Sequence, residues 1–292
     1  PPHEQRYERA AETAAAVKLL WESWAQDAVV LDKEQGVYAS PEKITEAEFN
    51  GIHIKVKGAL PSPRSVQGRP VIVQAGSSDQ GRDFAAQYAD IVFTMQPSAE
   101  EAKAFYRDVK ERAVKYGRKQ DELKVFQGIT PFAADTAAKA EEIKKNLDAL
   151  TDYGYALQRF KQIFKKLDIE LGQLDQQLNL DQLKIMSQAE QSTTANKLYQ
   201  QAASGESLRA LLNSLVTARG HWTPVGTAAD IAVQMQQRVN EFCADGFIVL
   251  PSDLEHGLDG FLNNIVPYLK RQGAFRTDYE GRTLRAHLGL KN

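Results

Sequence analysis

Four times along the chain a short apolar run passes straight into sequence with helical periodicity. No other feature limits the fold as tightly. VIVQA (71–75) leads into a helix pattern over 79–88, and DIVFTM (90–95) into one running from Ser98 to about residue 116. LKVFQGI (123–129) leads into a helix begun by Asp135 and ending near residue 150, and GFIVL (246–250) into a final helix over 256–271. Runs that are apolar without alternation belong to strands covered on both faces. Joined by helices, they predict parallel β-structure with right-handed crossovers. Two α/β architectures satisfy that order, an open doubly wound sheet and a closed (β/α) barrel. In both, ligands gather at the C-terminal ends of the strands.

The rest of the chain is arranged around this alternation. Residues 3–27 predict a helix, with Ala10, Ala14, Val17, Trp21 and Trp24 recurring every three or four positions. Residues 28–68 are rich in Gly and Pro, and within them Ile52, Ile54 and Val56 alternate as in a hairpin strand. Ser98 and Glu101 have the spacing of a capping box. Thr223 is the expected cap of a helix over 224–243. Residues 151–220 stand apart, rich in Gln, Leu and Lys, and predict two to four helices inserted into the α/β pattern. Their glutamines (Gln173, Gln176, Gln177, Gln182, Gln188 and Gln191) form either a solvated helical face or a partner or lid surface.

Composition narrows the function by exclusion. With 36 basic and 38 acidic residues, the net charge of −2 offers no electrostatic case for nucleic acid or an acidic membrane. No apolar run approaches transmembrane length. Cys243 is the one cysteine, so no internal disulfide forms and a reducing cytoplasm is the expected compartment. It sits among Val239, Phe242 and Phe247 and reads as a buried small hydrophobe. The histidines His53, His221, His256 and His287 are scattered, without HExxH or CxxC, so a metal site is not expected. No GxSxG elbow supports a hydrolase triad.

The strand-to-helix junction AGSSDQG carries the clearest chemistry. Gly76 permits a sharp turn and a close ligand. Ser77 and Ser78 offer hydroxyls and backbone N–H groups, and the following helix points its positive end at the same place. One reading is a phosphate site. The other is an ordinary serine cap with a glycine turn. The motif is neither a Walker loop nor GxGxxG. His3 and Tyr7, four apart on one helix face, could donate hydrogen bonds to an anion or a heteroaromatic ring, or could be surface residues.

Taken together, HEQRYERA, PSPRSVQGRP, GRPVIVQAGSSDQGRDFAAQYADIVFT, ARGHWTPVGTAADIA, ADGFIVLPS and GAFRTDYEGRTLRAHLGL strongly resemble one family. It is the nitrilotriacetate and dibenzothiophene-sulfone monooxygenase branch of the bacterial luciferase-like superfamily. The resemblance spans essentially the whole chain and is weakest in residues 151–205. It implies a (β/α)8 TIM-barrel type fold, one barrel domain over 1–292 carrying a helical insertion at 151–220. It implies an FMNH2- and O2-dependent monooxygenase that oxygenates a small organic substrate through a flavin C4a-peroxide. The flavin would come from a separate NAD(P)H:flavin reductase, and the assembly would be a homo-oligomer. His3, Tyr7, Gly76, Ser77 and Ser78 would bind FMN; no catalytic acid or base is implied. Family members carry about four further βα units before the position of Pro1, roughly 120 residues at about 30 per unit, so the chain is expected to be the C-terminal part of the barrel. Its first apolar strand, 71–75, would then lie at a sheet edge. A deazaflavin-dependent oxidoreductase and a non-catalytic flavin- or phosphate-binding product are the alternatives.

Overall fold

The computed structural model describes residues 3–165, 167–190, 193–218, 220–255 and 257–290. Helix α1 (His3–Trp21) is followed by two hairpins, β1 (Val29–Asp32) with β2 (Val37–Ala39) and β3 (Ala47–Asn50) with β4 (Lys55–Gly58). The alternation then begins: β5 (Val73–Ala75), α2 (Asp79–Tyr88), β6 (Ile91–Thr94), α3 (Ala99–Lys115), β7 (Lys124–Ile129), β8 (Phe132–Ala134) and α4 (Ala137–Ala149). Helices α5 (Tyr153–Ile163), α6 (Leu180–Glu190), α7 (Thr193–Ala203) and α8 (Leu208–Asn213) follow, with a π-helical turn at Ser214–Ala218. The chain returns through β9 (Val225–Thr227), α9 (Ala228–Asn240) and β10 (Gly246–Val249). It closes with α10 (Gly257–Gly260), a π turn at Phe261–Ile265, α11 (Val266–Arg271) and α12 (Leu284–His287).

The four expected strands form one sheet in the order β10-β7-β6-β5, with β10 parallel to β7 from Gly246↔Phe126 to Val249↔Ile129. The chain falls into two compact units, one of residues 1–92, 107–124 and 277–292, the other of residues 93–106 and 125–276.

In the first unit the buried Asp90 carboxylate ties together three distant segments. It accepts from the Ile72 backbone N–H at 2.9 Å, from Arg285 of α12 at 2.8 and 3.3 Å, and from Arg69 at 3.4 Å. Asp90 is 3% exposed and Arg285 2%. The strand expected over 71–75 is shorter than its apolar run and is not covered on both faces, since Val73 is 54% exposed. β5 is the edge strand of the sheet, and its face carrying Val73 and Ala75 is open among the described residues. The expected hairpin is also displaced: Ile52 lies in the turn between β3 and β4 and is 90% exposed. That turn is held by Glu12 of α1, whose carboxylate accepts from the N–H groups of Ile52, His53 and Ile54 at 2.7–2.9 Å. Gly51 is required there, because a Cβ would lie 2.6 Å from the Glu12 Cδ. The first helix ends at Trp21 rather than near residue 27. Trp24 instead donates its indole N–H to the Leu60 carbonyl at 2.7 Å.

In the second unit Asp245, just before β10, accepts from the Val125 N–H at 2.7 Å and from the Tyr106 hydroxyl at 2.9 Å. The helix expected over 224–243 starts later. Val225–Thr227 pairs in parallel with Phe132–Ala134, and Thr227, not Thr223, caps α9 through a full capping box with Asp230. Likewise Thr136, not Asp135, caps α4. Four helices, α5 to α8, lie within 151–220, and Phe160, Phe164, Leu183, Leu208, Leu211 and Leu212 form their own fully buried core. At about 1.5–3 kcal/mol per buried apolar side chain, that core is large enough to hold the four helices together. His256, expected to open the last helix, lies outside the described residues. Cys243 is buried, and burial pushes its thiol above the ordinary value.

Two tests follow from the first unit. Asp90→Asn strips the negative charge from the buried Arg285 pair, so urea unfolding at pH 7 should show a loss of about 3–5 kcal/mol. Glu142→Gln, in the exposed Lys139 pair, should move the same midpoint by less than about 1 kcal/mol. For Glu12, partial desolvation raises the carboxyl, but the N–H groups of His53, Ile52 and Ile54 outweigh it and hold the pKa below the ordinary value. The clamp should therefore stabilise fully above the unfolded carboxyl's pKa of about 4.3 and be lost as pH falls through the lowered folded value. Glu12→Gln should lower Tm at pH 7, and the difference from wild type should close below about pH 3.

Candidate functional site

The junction between β5 and α2 is built from local sequence. Ser78 has an extended backbone (φ −65°, ψ 162°) and its hydroxyl accepts from the Gly81 N–H at 3.1 Å, which caps α2. The capped turn leaves the amides of Asp79 and Gln80 at the open N-terminal end, where a helix has no partners of its own. The Ser77 hydroxyl, half-buried, makes no hydrogen bond among the described residues. Asp79, in the first turn, would repel an anion at this point, but Arg112 takes its carboxylate at 2.6 Å and Arg82 approaches at 3.5 Å.

Tyr7 of α1 closes the corner. Its hydroxyl lies 3.2 Å from where a Cβ on Gly76 would stand and 2.8 Å from the corresponding point on Gly81. A Cβ on Gly81 would also meet the Ser78 Oγ at 3.1 Å and the Gly76 carbonyl carbon at 3.3 Å. Both glycines therefore admit the tyrosine to the backbone, and the Tyr7 ring packs against Phe84 at 5.8 Å between centroids. The Gln74 side chain adds a further wall: its Nε2 is 2.7 Å from the Gly76 Cβ position, and its Oε1 is buried without a hydrogen-bond partner among the described residues. Of the residues singled out by sequence, Tyr7, Gly76, Ser77 and Ser78 thus meet in one corner. His3 opens α1, but its side chain lies outside the described residues. Gly81 and Gln74 were missed as site residues, although the second glycine of GSSDQG is a visible signal for the first of them.

A second polar cluster lies at the ends of β6 and β7 in the other unit. The buried Arg238 of α9 donates to the Gln127 Oε1 at 3.2 Å and to the Pro97 carbonyl at 2.7 Å, and its guanidinium stacks 4.1 Å above Trp222. Gln127 donates in turn to the Gln96 carbonyl, and Gln96 to the Thr94 hydroxyl at 3.1 Å. Burial pushes the Arg238 guanidinium below its ordinary value. His221 is buried with its ring 5.5 Å from Phe93, and it lies so close over Gly128 that no Cβ fits there. Nothing in local sequence marks this cluster, because its members come from four separated segments.

Residues 1–245 match the luciferase-like monooxygenase family. The chain belongs to that family. Among curated relatives it is 40% identical over 290 residues to nitrilotriacetate monooxygenase component A of Aminobacter aminovorans, covering 99% of this chain and 63% of the relative. It is 37% identical over 292 residues to N-acetyl-S-(2-succino)cysteine monooxygenase of Bacillus subtilis (strain 168), covering 99% and 65%. The crystal structure of DmoA from Hyphomicrobium sulfonivorans superposes with a TM-score of 0.83 at 27% identity, over 99% of this chain and 60% of that one. The chain thus spans somewhat less than two thirds of the length of these relatives. The expected branch and the (β/α)8 TIM-barrel type of fold are both found. Among the described residues no helix is long and apolar enough to cross a membrane, and no cluster of three or more His, Cys, Asp or Glu could hold a metal.

The corner's packing is testable in this family member. Gly81→Ala forces a methyl against the Tyr7 hydroxyl and should cost about 1–3 kcal/mol in urea unfolding, the usual penalty of overpacking. Tyr7→Phe in the same background removes the nearest atom. A double-mutant cycle should then give a coupling of at least about 0.5 kcal/mol, and additivity would show that the two residues do not meet.

Proposed function

We propose that this chain belongs to the oxygenase component of a two-component flavin-dependent monooxygenase, with FMN as its cofactor, and that the corner at residues 76–81 takes the FMN phosphate. The observation that carries this reading is the open helix end beside the Ser77 hydroxyl, walled by two glycines that admit Tyr7. A dianionic phosphate needs hydroxyls, N–H groups and a helix N-terminus, and all three are present. The donor set therefore fits the group. Ser77 would donate its hydroxyl. Ser78 would donate its own while accepting from Gly81, as a hydroxyl can. The amides of Asp79 and Gln80 would complete the cradle, with Tyr7 and His3 on the α1 side.

Reduced FMN, once bound, supplies the electrons with which O2 is activated to oxygenate a small organic substrate. The protein's part is to hold the cofactor, exclude water and present the substrate. An NAD(P)H:flavin reductase is the partner this reading requires. The name "component A" of the nitrilotriacetate relative supports such a division of labour. A reducing cytoplasm suits a chain whose one cysteine is buried.

FMN and riboflavin titrations separate the phosphate contact from the ring. Wild type should bind FMN more tightly than riboflavin. Ser77→Ala should weaken FMN binding by about 1–3 kcal/mol, the cost of leaving a charged acceptor short of a donor, with riboflavin binding unchanged. Equal affinity for the two flavins in wild type would remove the phosphate from this corner.

A further inference from the structure

The helices of residues 153–218 do more than bury their own apolar faces. Together with Met95, the residue that follows β6, they enclose a cavity of about 380 Å3. That is the size of pockets that take small organic molecules. Met95, Leu198, Leu215 and Val216 give it an apolar wall. Its charged groups are Arg159 from α5 and Lys197 from α7, and no carboxylate lines it among the described residues.

Among the described residues neither cation is neutralised by an ion pair. Arg159 donates to the Tyr155 hydroxyl at 3.3 Å and lies 6.0 Å from the centre of that ring, which leaves the rest of its five donors available. Lys197 donates to the Met95 carbonyl, and an ammonium has two further donors. Burial pushes the Lys197 ammonium below its ordinary value against the pull of Glu101, and an arriving anion would oppose that shift. The neighbouring polar pair is already satisfied, since Gln201 and Ser214 bond each other at 3.0 and 3.1 Å. The charged hydrogen-bonding capacity of the cavity is therefore all cationic, on Arg159 and Lys197.

We propose that this cavity binds an organic carboxylate, held by Arg159 and Lys197, with its carbon skeleton against Met95, Leu198 and Leu215. That the bound molecule is also the one oxygenated rests on the monooxygenase reading; the binding itself does not.

The test is calorimetric titration of the chain, in metal-free low-salt buffer, with benzoate, succinate and nitrilotriacetate and with the methyl ester of each. At least one acid should bind ten times more tightly than its ester. Arg159→Gln should reduce that preference at least tenfold, and because Arg159 is exposed the variant should keep the wild-type Tm. Lys139→Gln, an exposed cation on α4, should leave the preference intact. Esters binding as well as acids throughout, or a preference that survives Arg159→Gln, would overturn the proposal. FMN titration of the wild-type chain keeps the two readings apart. FMN binding without any acid preference defeats the cavity assignment alone, and an acid preference without FMN binding defeats the flavin reading alone.

Discussion

The carboxylate of Asp90 fixes where the first βα unit begins. It accepts from the Ile72 N–H and so sets the start of β5, while its own residue opens β6 and Arg285 closes over it from the far end of the sequence. The corner proposed to take the phosphate begins only four residues beyond Ile72. At about 3.3 Å per strand residue, the position of Gly76 is inherited from an anchor about 13 Å away. The device recurs. Asp245 opens β10 and accepts from the Val125 N–H at the start of β7, as Asp90 does for β5. Each sits in the phrase Ala-Asp followed by an apolar strand. In barrels of this type the N-terminal ends of strands serve stability and the C-terminal ends serve chemistry. The two aspartates occupy the first role, which leaves the residues after β5 at liberty to be Gly and Ser.

The C-terminal ends of β6 and β7 need a different anchor, because irregular backbone there has carbonyls to satisfy. Arg238 meets that need from α9 by donating to the Gln127 side chain and to the carbonyl of Pro97. A buried guanidinium with no ion pair among the described residues is tolerable only if its donors are used and its faces covered, and the Trp222 ring covers one face. Replacing Arg238 by Lys would keep the charge but lose the planar fork and the stacking.

Short, mostly apolar runs without alternation made most of the sheet legible in the sequence. The four strands β5, β6, β7 and β10 fall where Val73, Val92, Val125 and Ile248 lie in such runs, within two residues at each end. The errors have local causes. Thr223 and Thr227 are both plausible caps, and only the pairing of Val225 with Phe132 decides between them. Ile52 alternates correctly with Ile54 and Val56, yet the grip of Glu12 on three successive amides makes it a turn residue. Periodicity cannot register a carboxylate so far away in the chain. The short β8 and β9 carry no signal of their own, since three residues such as Phe132-Ala133-Ala134 fit a loop equally well.

The two candidate binding features differ in legibility for a physical reason. The corner after β5 recognises its proposed phosphate with backbone amides, two neighbouring hydroxyls and a helix end, all within the stretch AGSSDQG, so a single short window of sequence displays it. These are neutral dipoles at short range, and a ligand held by them should lose little affinity as salt rises. The cavity beside Met95 uses the ends of long side chains from residues 159 and 197, brought together by the folding of separate helices around Phe160, Phe164 and Leu183. Contacts of that kind leave no mark in a window of sequence. They carry full charges, are more exposed to salt, and can change by single substitutions without disturbing the sheet. A family that keeps one cofactor and varies its substrate would gain by this arrangement. Cofactor recognition would sit in a strand-to-helix turn that the fold itself requires. Substrate recognition would sit on inserted helices that have a core of their own.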